Sequence, residues 1–362
     1  MQKGKASIKF DKEPVIMGAA SIVGEKEGEG PLKSCFDRVE PDPMYGQDSW
    51  EAAESEFQRQ TALKCLEKSG LKESDIRYLF AGDLLGQIVA TSFGVQDLEI
   101  PVFGLYGACS TMGEAIMLAS MTVNAGYADR VMALASSHFA SAERQFRFPL
   151  AEAWISSVPK MAAVLAASTG TLRRCVSVCI RPSCGSVIVG KDGKESPSAQ
   201  EKIYAKVTGA TAGKIVDMQS RDSMNMGAAM AMAAVDTILQ NFRDYEVDQT
   251  YYDKIITGDL GSVGQNILFD FMDKAGHDVK GIHMDCGMTI FDSAVQDTHS
   301  GGSGCGCSAV TLCGYILPKL RSGEWKRVLF VPTGALLSQI SFNEGQNVPG
   351  IAHAVMLEHI GA

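Results

Sequence analysis

Asp75-Ile-Arg-Tyr-Leu-Phe-Ala-Gly-Asp-Leu-Leu-Gly-Gln87 is echoed later by Asp253-Lys-Ile-Ile-Thr-Gly-Asp-Leu-Gly-Ser-Val-Gly-Gln265. Each is a short β-rich run closing on Gly-Asp-Leu, at residues 82–84 and 258–260. Each follows a helical segment of similar length, Trp50–Ser69 and Asn225–Phe242. A second pair of landmarks keeps the same order. Ala108-Cys109-Ser110 opens a helix that reaches the turn at Gly126, and Gly304-Cys305-Gly306-Cys307-Ser308 opens one that reaches the turn at Gly323. A third pair, Val15-Ile-Met-Gly18 and Val187-Ile-Val-Gly190, is expected to open each copy with a strand. Three echoes in one order indicate a duplicated unit reading strand, helix, strand, helix, strand, hence parallel sheets faced by helices. The halves are expected to meet at 170/171: residues 1–170, which carry Cys109, and residues 171–362.

Composition narrows the class. The chain has 362 residues, 46% hydrophobic and 21% charged, which excludes disorder, collagen and coiled coil. Its net charge is −9 and no basic run exceeds two residues, so nucleic acid is not an expected partner. No apolar run approaches the ~18 residues of a membrane span, and no apolar core follows the basic N-terminus as in a secretory signal. Ten cysteines are too few for a disulfide scaffold of this length. A chain of cytosolic type is expected. The helix at Asn225–Val235, small or apolar on nearly every side, reads as buried between two sheets. Glu51–Lys68 carries its charges on one stripe and reads as facing solvent.

Pro101–Tyr106 reads as a buried strand, Gly107-Ala108 as a sharp turn, and Cys109 as the first residue of a helix with apolar positions at Met112, Ala115, Ile116 and Ala119. A thiol there faces free N–H groups and the positive end of the helix, which favour thiolate. The arrangement parallels a nucleophile elbow. Two readings stand for Cys109: an activated thiol, or a small buried hydrophobe.

With these features the chain resembles the thiolase superfamily. Within it, the resemblance is to a stage V sporulation group of spore-forming bacteria. It rests on VIMGAASIVG, FAGDLLGQ, YGACSTMGEA, Val216–Ala231 with its NMGAAMA, YYDxIITGDLG, GGSGCGCSA, PTGALLS and IAHAV, spread over roughly residues 14–356. The resemblance implies an α/β fold of five layers, α-β-α-β-α, with two pseudo-symmetric duplicated halves and a homodimer. It also implies binding of dipicolinic acid (pyridine-2,6-dicarboxylate) for uptake into the developing spore. Membrane proteins of the same sporulation operon would be partners, and the chain would lie peripherally at the forespore inner membrane.

Condensing relatives carry a His in a His-Gln-Ala-Asn turn and an Asn in a Gly-Asn-Thr-Ser turn. The matching positions here are Gly258-Asp259-Leu260-Gly261 and about Ser303 or Gly304. A carboxylate beside a developing oxyanion has the wrong sign for catalysis, so condensation is not expected. His299 lies roughly where thiolases place another histidine, and Cys305 or Cys307 is then available as a second thiol. The bland alternative for His299 is an exposed loop residue. The spacing of Cys175, Cys179 and Cys184 is not that of a zinc site, and no metal site is expected.

A planar dianion needs N–H donors or cations and a flat wall. The helix N-terminus at Cys109–Met112 offers donors. Ser136, Ser137 and His138 follow the strand Val131–Ala135 at its C-terminal end, where such sheets open their clefts. His138 reads as a cation or as a partly buried surface residue, and Arg144 and Arg147 as lid residues or a solvated loop. Asp83 and Asp259, with Ser303, complete the candidate ligand-binding set; each Asp would contact the calcium of a calcium–dipicolinate chelate or hydrogen-bond its own turn. No other cofactor is expected. Two further functions stand beside this one: an acyl-CoA-dependent acyltransferase using Cys109, and a purely structural subunit.

Overall fold

The computed structural model describes residues 1–143, 182–192, 203–223 and 225–361. The expected boundary at 170/171, Arg144, Arg147, Cys175 and Cys179 lie outside the described residues.

The first set of elements comprises β1 (Val15–Gly24), α1 (Trp50–Ser69), β2 (Tyr78–Gly82), β3 (Val102–Gly104), α2 (Thr111–Ala125), β4 (Arg130–Ser137) and β5 (Ser183–Gly190). Their sheet order is β3-β2-β4-β5-β1. The second set comprises β6 (Ala205–Thr211), α3 (Met226–Tyr245), β7 (Lys254–Thr257), α4 (Gly261–Lys274), β8 (His283–Asp285), α5 (Cys305–Thr311), β9 (Arg327–Val331), the ribbon β10 (Thr333–Ala335) with β11 (Gly350–Ala352), and β12 (Ala354–Glu358). Its main sheet runs β8-β7-β9-β12-β6. Counted within each set the order is 3-2-4-5-1 twice. In both, the first three neighbours pair in parallel and the fifth strand is antiparallel to its two neighbours. The two first strands join the sets, Val15 opposite Lys206 and Ile16 opposite Ala205.

Strand alternation builds the layers. On β4, Val131, Ala133 and Ala135 turn into a central core that also takes Met112 and Ile116 of α2. Met132 and Leu134 turn the other way, onto Phe57 and Leu66 of α1. On β9, Val328 and Phe330 face the same central core, while Leu329 and Val331 meet Ile238 and Phe242 of α3. One central cluster on both sides of the middle helices and two outer clusters therefore bind two sheets and three tiers of helices, the α-β-α-β-α stack the resemblance implies. Complete burial of each large side chain such as Met112 or Ile116 contributes roughly 1.5–3 kcal/mol. Local signals fix the helix ends. Ser49 caps α1 by accepting from Ala52 N, and Gly70, at φ 71°, ends it where a left-handed residue is needed.

Three expectations are corrected. The strand containing Val187–Gly190 pairs between β4 and β1, so it completes the first set, and β6 opens the second. The strand at Pro101–Tyr106 is exposed rather than buried: among the described residues it pairs with β2 alone, and Val102 and Phe103 keep 42% and 49% of their surface. The alanine-rich helix lies on the outer face of the second sheet instead of between sheets. Its small residues serve close helix packing; a Cβ on Gly227 would meet Leu260 O at 2.3 Å, and one on Gly350 would meet Ala229 O at 2.5 Å. Among the described residues, no helix is long and apolar enough to cross a membrane.

Candidate functional site

The parallel strands β2 and β4 of one set and β7 and β9 of the other end near one another, and their following turns build the site. At its centre Ala108 takes φ +49°, between Gly107 and Cys109. Ala108–Ser110 forms a single tight turn that leads into α2. The hydroxyls of that turn point backwards: Ser110 Oγ donates to Gly107 O (2.7 Å) and Thr111 Oγ1 to Ala108 O (2.7 Å). Ser110, the cap residue of α2, therefore gives its helix amides no side-chain acceptor. Gly334 of β10 packs on the same turn, where a Cβ would stand 2.3 Å from Gly107 O.

Cys109 keeps 7% of its surface, whereas Cys305 and Cys307 keep none. Cys305 Sγ donates to Ser136 O at 2.7 Å. Burial, with Cys286, Asp259 and Asp285 nearby, pushes the Cys307 thiol well above its ordinary range. The Tyr106 hydroxyl donates to Leu337 O (3.3 Å). Burial, reinforced by the proximity of Cys109, Cys305 and Asp83, raises its pKa to about 12. Tyr106 and Cys109 of one turn thus share a locality with Asp83 and Cys305.

The twin aspartates do different work. Asp83 folds onto its own loop, accepting from Leu85 N (2.7 Å), Thr91 N (2.7 Å) and Thr91 Oγ1 (2.6 Å). Burial nevertheless raises its pKa. Asp259 reaches across the second half, accepting from Gly304 N (3.0 Å) and Thr333 Oγ1 (3.0 Å). It ties the glycine-rich turn, with buried Ser303, to β10. Its twin's task of holding the first amides of the following helix passes to Asp285, which accepts from Leu260 N and Gly261 N. For Asp83 the structure carries the turn-bonding alternative. Among the described residues, no group of three or more His, Cys, Asp or Glu is placed to hold a metal ion.

Ser136 is a joint between layers. Its hydroxyl donates to Glu54 Oε1 (2.8 Å) and accepts from Gln58 Nε2 (2.7 Å), which also donates to Thr91 Oγ1 (3.0 Å). A buried polar chain therefore runs from Asp83 to Glu54, and the carbonyl of Ser136 extends it to Cys305. Ser137 Oγ accepts from Gly306 N (3.0 Å).

His138 is turned to internal work. Its Nδ1 accepts from Ala140 N (3.1 Å), so the facing Nε2–H donates to Pro43 O (3.0 Å), and the ring packs on Trp50. Both ring nitrogens are thus engaged by the protein's own backbone. His299 Nδ1 stands 3.7 Å from Oδ1 of the exposed Asp297, its own side chain only 20% exposed, so it is not the exposed loop residue of the bland alternative. The histidine that flanks the elbow is His353, whose carbonyl would lie 3.1 Å from a Cβ on Gly113 of α2. Its Nδ1 accepts from Gly213 N (3.2 Å), and burial pulls its pKa down to about 4. A base so weakened is poorly matched to abstracting a proton near neutral pH.

The site lies across two fused five-stranded sheets, with a cysteine on a strand-to-helix elbow. Both define a thiolase-fold protein, with Asp259 on the turn that follows β7. Solved structures share this fold. One is 3-oxoacyl-(acyl-carrier-protein) synthase III from Aquifex aeolicus VF5, at 12% identity and TM-score 0.53, covering 95% of this chain and 99% of that one. Another is a single-substitution variant of OleA from Xanthomonas campestris, at 14% and TM-score 0.57, covering 97% and 99%. The chain belongs to the stage V sporulation protein AD family, whose model matches residues 4–358. It is 37% identical to the stage V sporulation protein AD of Bacillus subtilis (strain 168) over 358 residues, 99% of this chain and 98% of that protein.

Tyr106, Thr333, Gly334, His353 and the Glu54–Gln58–Thr91 chain were not candidates from sequence. Thr333 and Gly334 stand in PTGALLS and His353 in IAHAV, stretches that carried the resemblance without showing what they face.

Proposed function

We propose that this protein binds dipicolinic acid, free or as its calcium chelate, and serves its uptake into the developing spore on a thiolase fold that no longer condenses acyl groups. The observation that carries the reading is Asp259. It occupies the turn of the missing histidine and is spent on Gly304 N and Thr333 Oγ1, while the elbow and its open helix end are retained. A site stripped of its base yet still offering backbone N–H groups is suited to holding an anion. Tyr106, 44% exposed and beside Cys109 and Asp83, supplies an aromatic face for the pyridine ring. Asp83, already filled by three donors, is a poor ligand for the calcium of a chelate, so free dipicolinate is the favoured form. Family membership supports a sporulation role. Membrane proteins of the same operon would receive the ligand, with this chain peripheral at the forespore inner membrane. A homodimer formed through the exposed strand β3 completes the proposal.

Calorimetric titration with dipicolinate, with and without calcium, tests the reading. Wild type should bind, and Tyr106→Ala should weaken binding by about tenfold, the scale of one lost aromatic contact. No binding in either condition sinks the proposal. The residual exposure of Cys109 favours the acyltransferase alternative; acyl-CoA thiolysis abolished by Cys109→Ala would establish it in place of binding alone.

A further inference from the structure

Between β2 and β3 the chain crosses a loop, residues 84–90, that is held against its own conformational preference. Gln87 (φ 54°, ψ 22°) and Ile88 (φ 50°, ψ 48°) both lie in the left-handed region. Among the described residues they are the one adjacent pair of non-glycine residues at positive φ, and Ile88 is the one β-branched residue there. That region crowds any Cβ and a branched one most, so the conformation persists only where its surroundings enforce it. A single carboxylate does the enforcing. Asp83 accepts from Leu85 N through Oδ1 and from Thr91 N and Thr91 Oγ1 through Oδ2, which draws the two ends of the loop together. The far end is also fixed on α1: Ser55 Oγ donates to Ala90 O and Gln58 Nε2 to Thr91 Oγ1, both at 3.0 Å.

The loop runs along the edge-strand side of the elbow. Gly82, just before it, abuts the elbow: a Cβ there would collide with Leu105 O and stand 2.8 Å from Thr111 Cγ2. Leu84 and Leu85 sink into the same core as Ala108 and Cys109. Ile88 closes over β3, its Cδ1 filling the space that a Cβ on Gly104 would need, two residues before Tyr106. Gly86 and Gln87 face solvent. We infer that residues 84–90 form a strained strap over this side of the elbow, latched shut by the Asp83 carboxylate, and that its opening controls the passage of small molecules to Cys109. Releasing the latch lets Gln87 and Ile88 return to unstrained backbone, which lifts Ile88 off Gly104 and draws Leu84 and Leu85 away from the core. Gln58 connects the latch to the floor of the site: its amide nitrogen donates both to Thr91 Oγ1 and to Ser136 Oγ (2.7 Å), and the carbonyl of Ser136 accepts from Cys305 Sγ. The inference concerns access alone and does not depend on which ligand the elbow takes.

Hydrogen–deuterium exchange of the full-length protein, read on peptides spanning residues 84–91, tests the strap. Alkylation of Cys109 by iodoacetamide, read at that residue by mass spectrometry, tests access. Asp83→Asn keeps the shape of the latch but leaves one acceptor oxygen for three donors. Both rates should rise about tenfold or more, while peptides from β4 exchange as in wild type. Gln87→Gly, at an exposed position, removes strain that only the shut strap bears, and should slow both rates several-fold. That second variant carries the test if Asp83→Asn does not fold. Loop exchange unchanged in both variants, loop exchange faster in Gln87→Gly, or Cys109 alkylation indifferent to a change in loop exchange overturns the inference. None of these readouts uses dipicolinate, so the strap can fail while ligand binding stands, and binding can fail while the strap stands.

Discussion

Ala108, the one non-glycine residue of the elbow forced to a positive φ, shows what a local reading can see. Gly107-Ala108-Cys109-Ser110 between a strand and a helix announces a tight turn with a thiol at its tip, and the structure builds that turn. His353 shows the opposite. Nothing within IAHAV tells that the histidine flanks α2, because the contact joins Gly113 to a residue far along the chain. Its burial has a testable consequence. With the folded pKa pulled to about 4 and the unfolded value near 6.5, the folded chain keeps this imidazole neutral while the unfolded chain takes up a proton. Its contribution is thus fully present above pH about 6.5 and is lost as pH falls toward about 4. His283, also pulled to about 4 by burial, behaves likewise. Buried carboxyls such as Asp83, raised by burial, act in the opposite sense, so the effect must be read by difference. In urea melts between about pH 7 and pH 4, His353→Gln should lose stability less steeply than wild type, by up to about 1.4 kcal/mol per pH unit. Parallel slopes would refute the assignment.

Among elements, alternating side chains were legible and strand order was not. Val131–Ala135 reads as a strand from its composition. Which β-rich run begins the second unit cannot be told that way, since Val187–Gly190 and Ala205–Thr211 are both β-rich and pairing partners decide between them. The same limit hid the ribbon strand β10, whose importance comes from lying across the elbow. Gly334→Ala tests that contact. The added Cβ would stand 2.3 Å from Gly107 O, a backbone atom that cannot swing aside, and 3.0 Å from Ser110 N. A loss of about 1–3 kcal/mol in unfolding free energy is expected, as for other overpacked sites, together with weaker ligand binding because the turn itself must move. Wild-type stability in this variant would show that β10 does not press on the elbow. Asp259 belongs to the same scale: its Gly-Asp-Leu motif matched that of Asp83, yet its partners lie 45 and 74 residues away, so sequence symmetry did not predict its role.

Across the whole molecule, the duplication first visible in two Gly-Asp-Leu turns becomes two sheets of identical strand order joined at their first strands. That junction leaves β3 and β8 at the outer ends of the shared sheet, and β3 is the one laden with exposed apolar surface. Val102, Phe103 and Tyr106 keep 42%, 49% and 44% of theirs, and Phe103 already stacks on Phe80 at 5.0 Å. Unprotected edges of this kind invite another strand, and proteins ordinarily blunt them with charge, proline or cover. A second copy meeting β3 across a two-fold axis would continue the sheet and cover all three side chains on both protomers. It would also bring Tyr106, and through it the neighbourhood of Cys109 and Asp83, close to the subunit boundary. Phe103→Glu places a charge at the centre of that contact and should convert a dimer at micromolar concentration into a monomer, read by sedimentation velocity. Stable dimers bury about 1,200–2,000 Å² or more in total, so one central charge is well placed to break the contact without unfolding a residue that is half exposed. A wild type that sediments as a monomer would sink the proposed dimer, and a dimeric Phe103→Glu would show that β3 is not its contact. A dimer lost together with dipicolinate affinity would tie ligand capture to assembly through Tyr106.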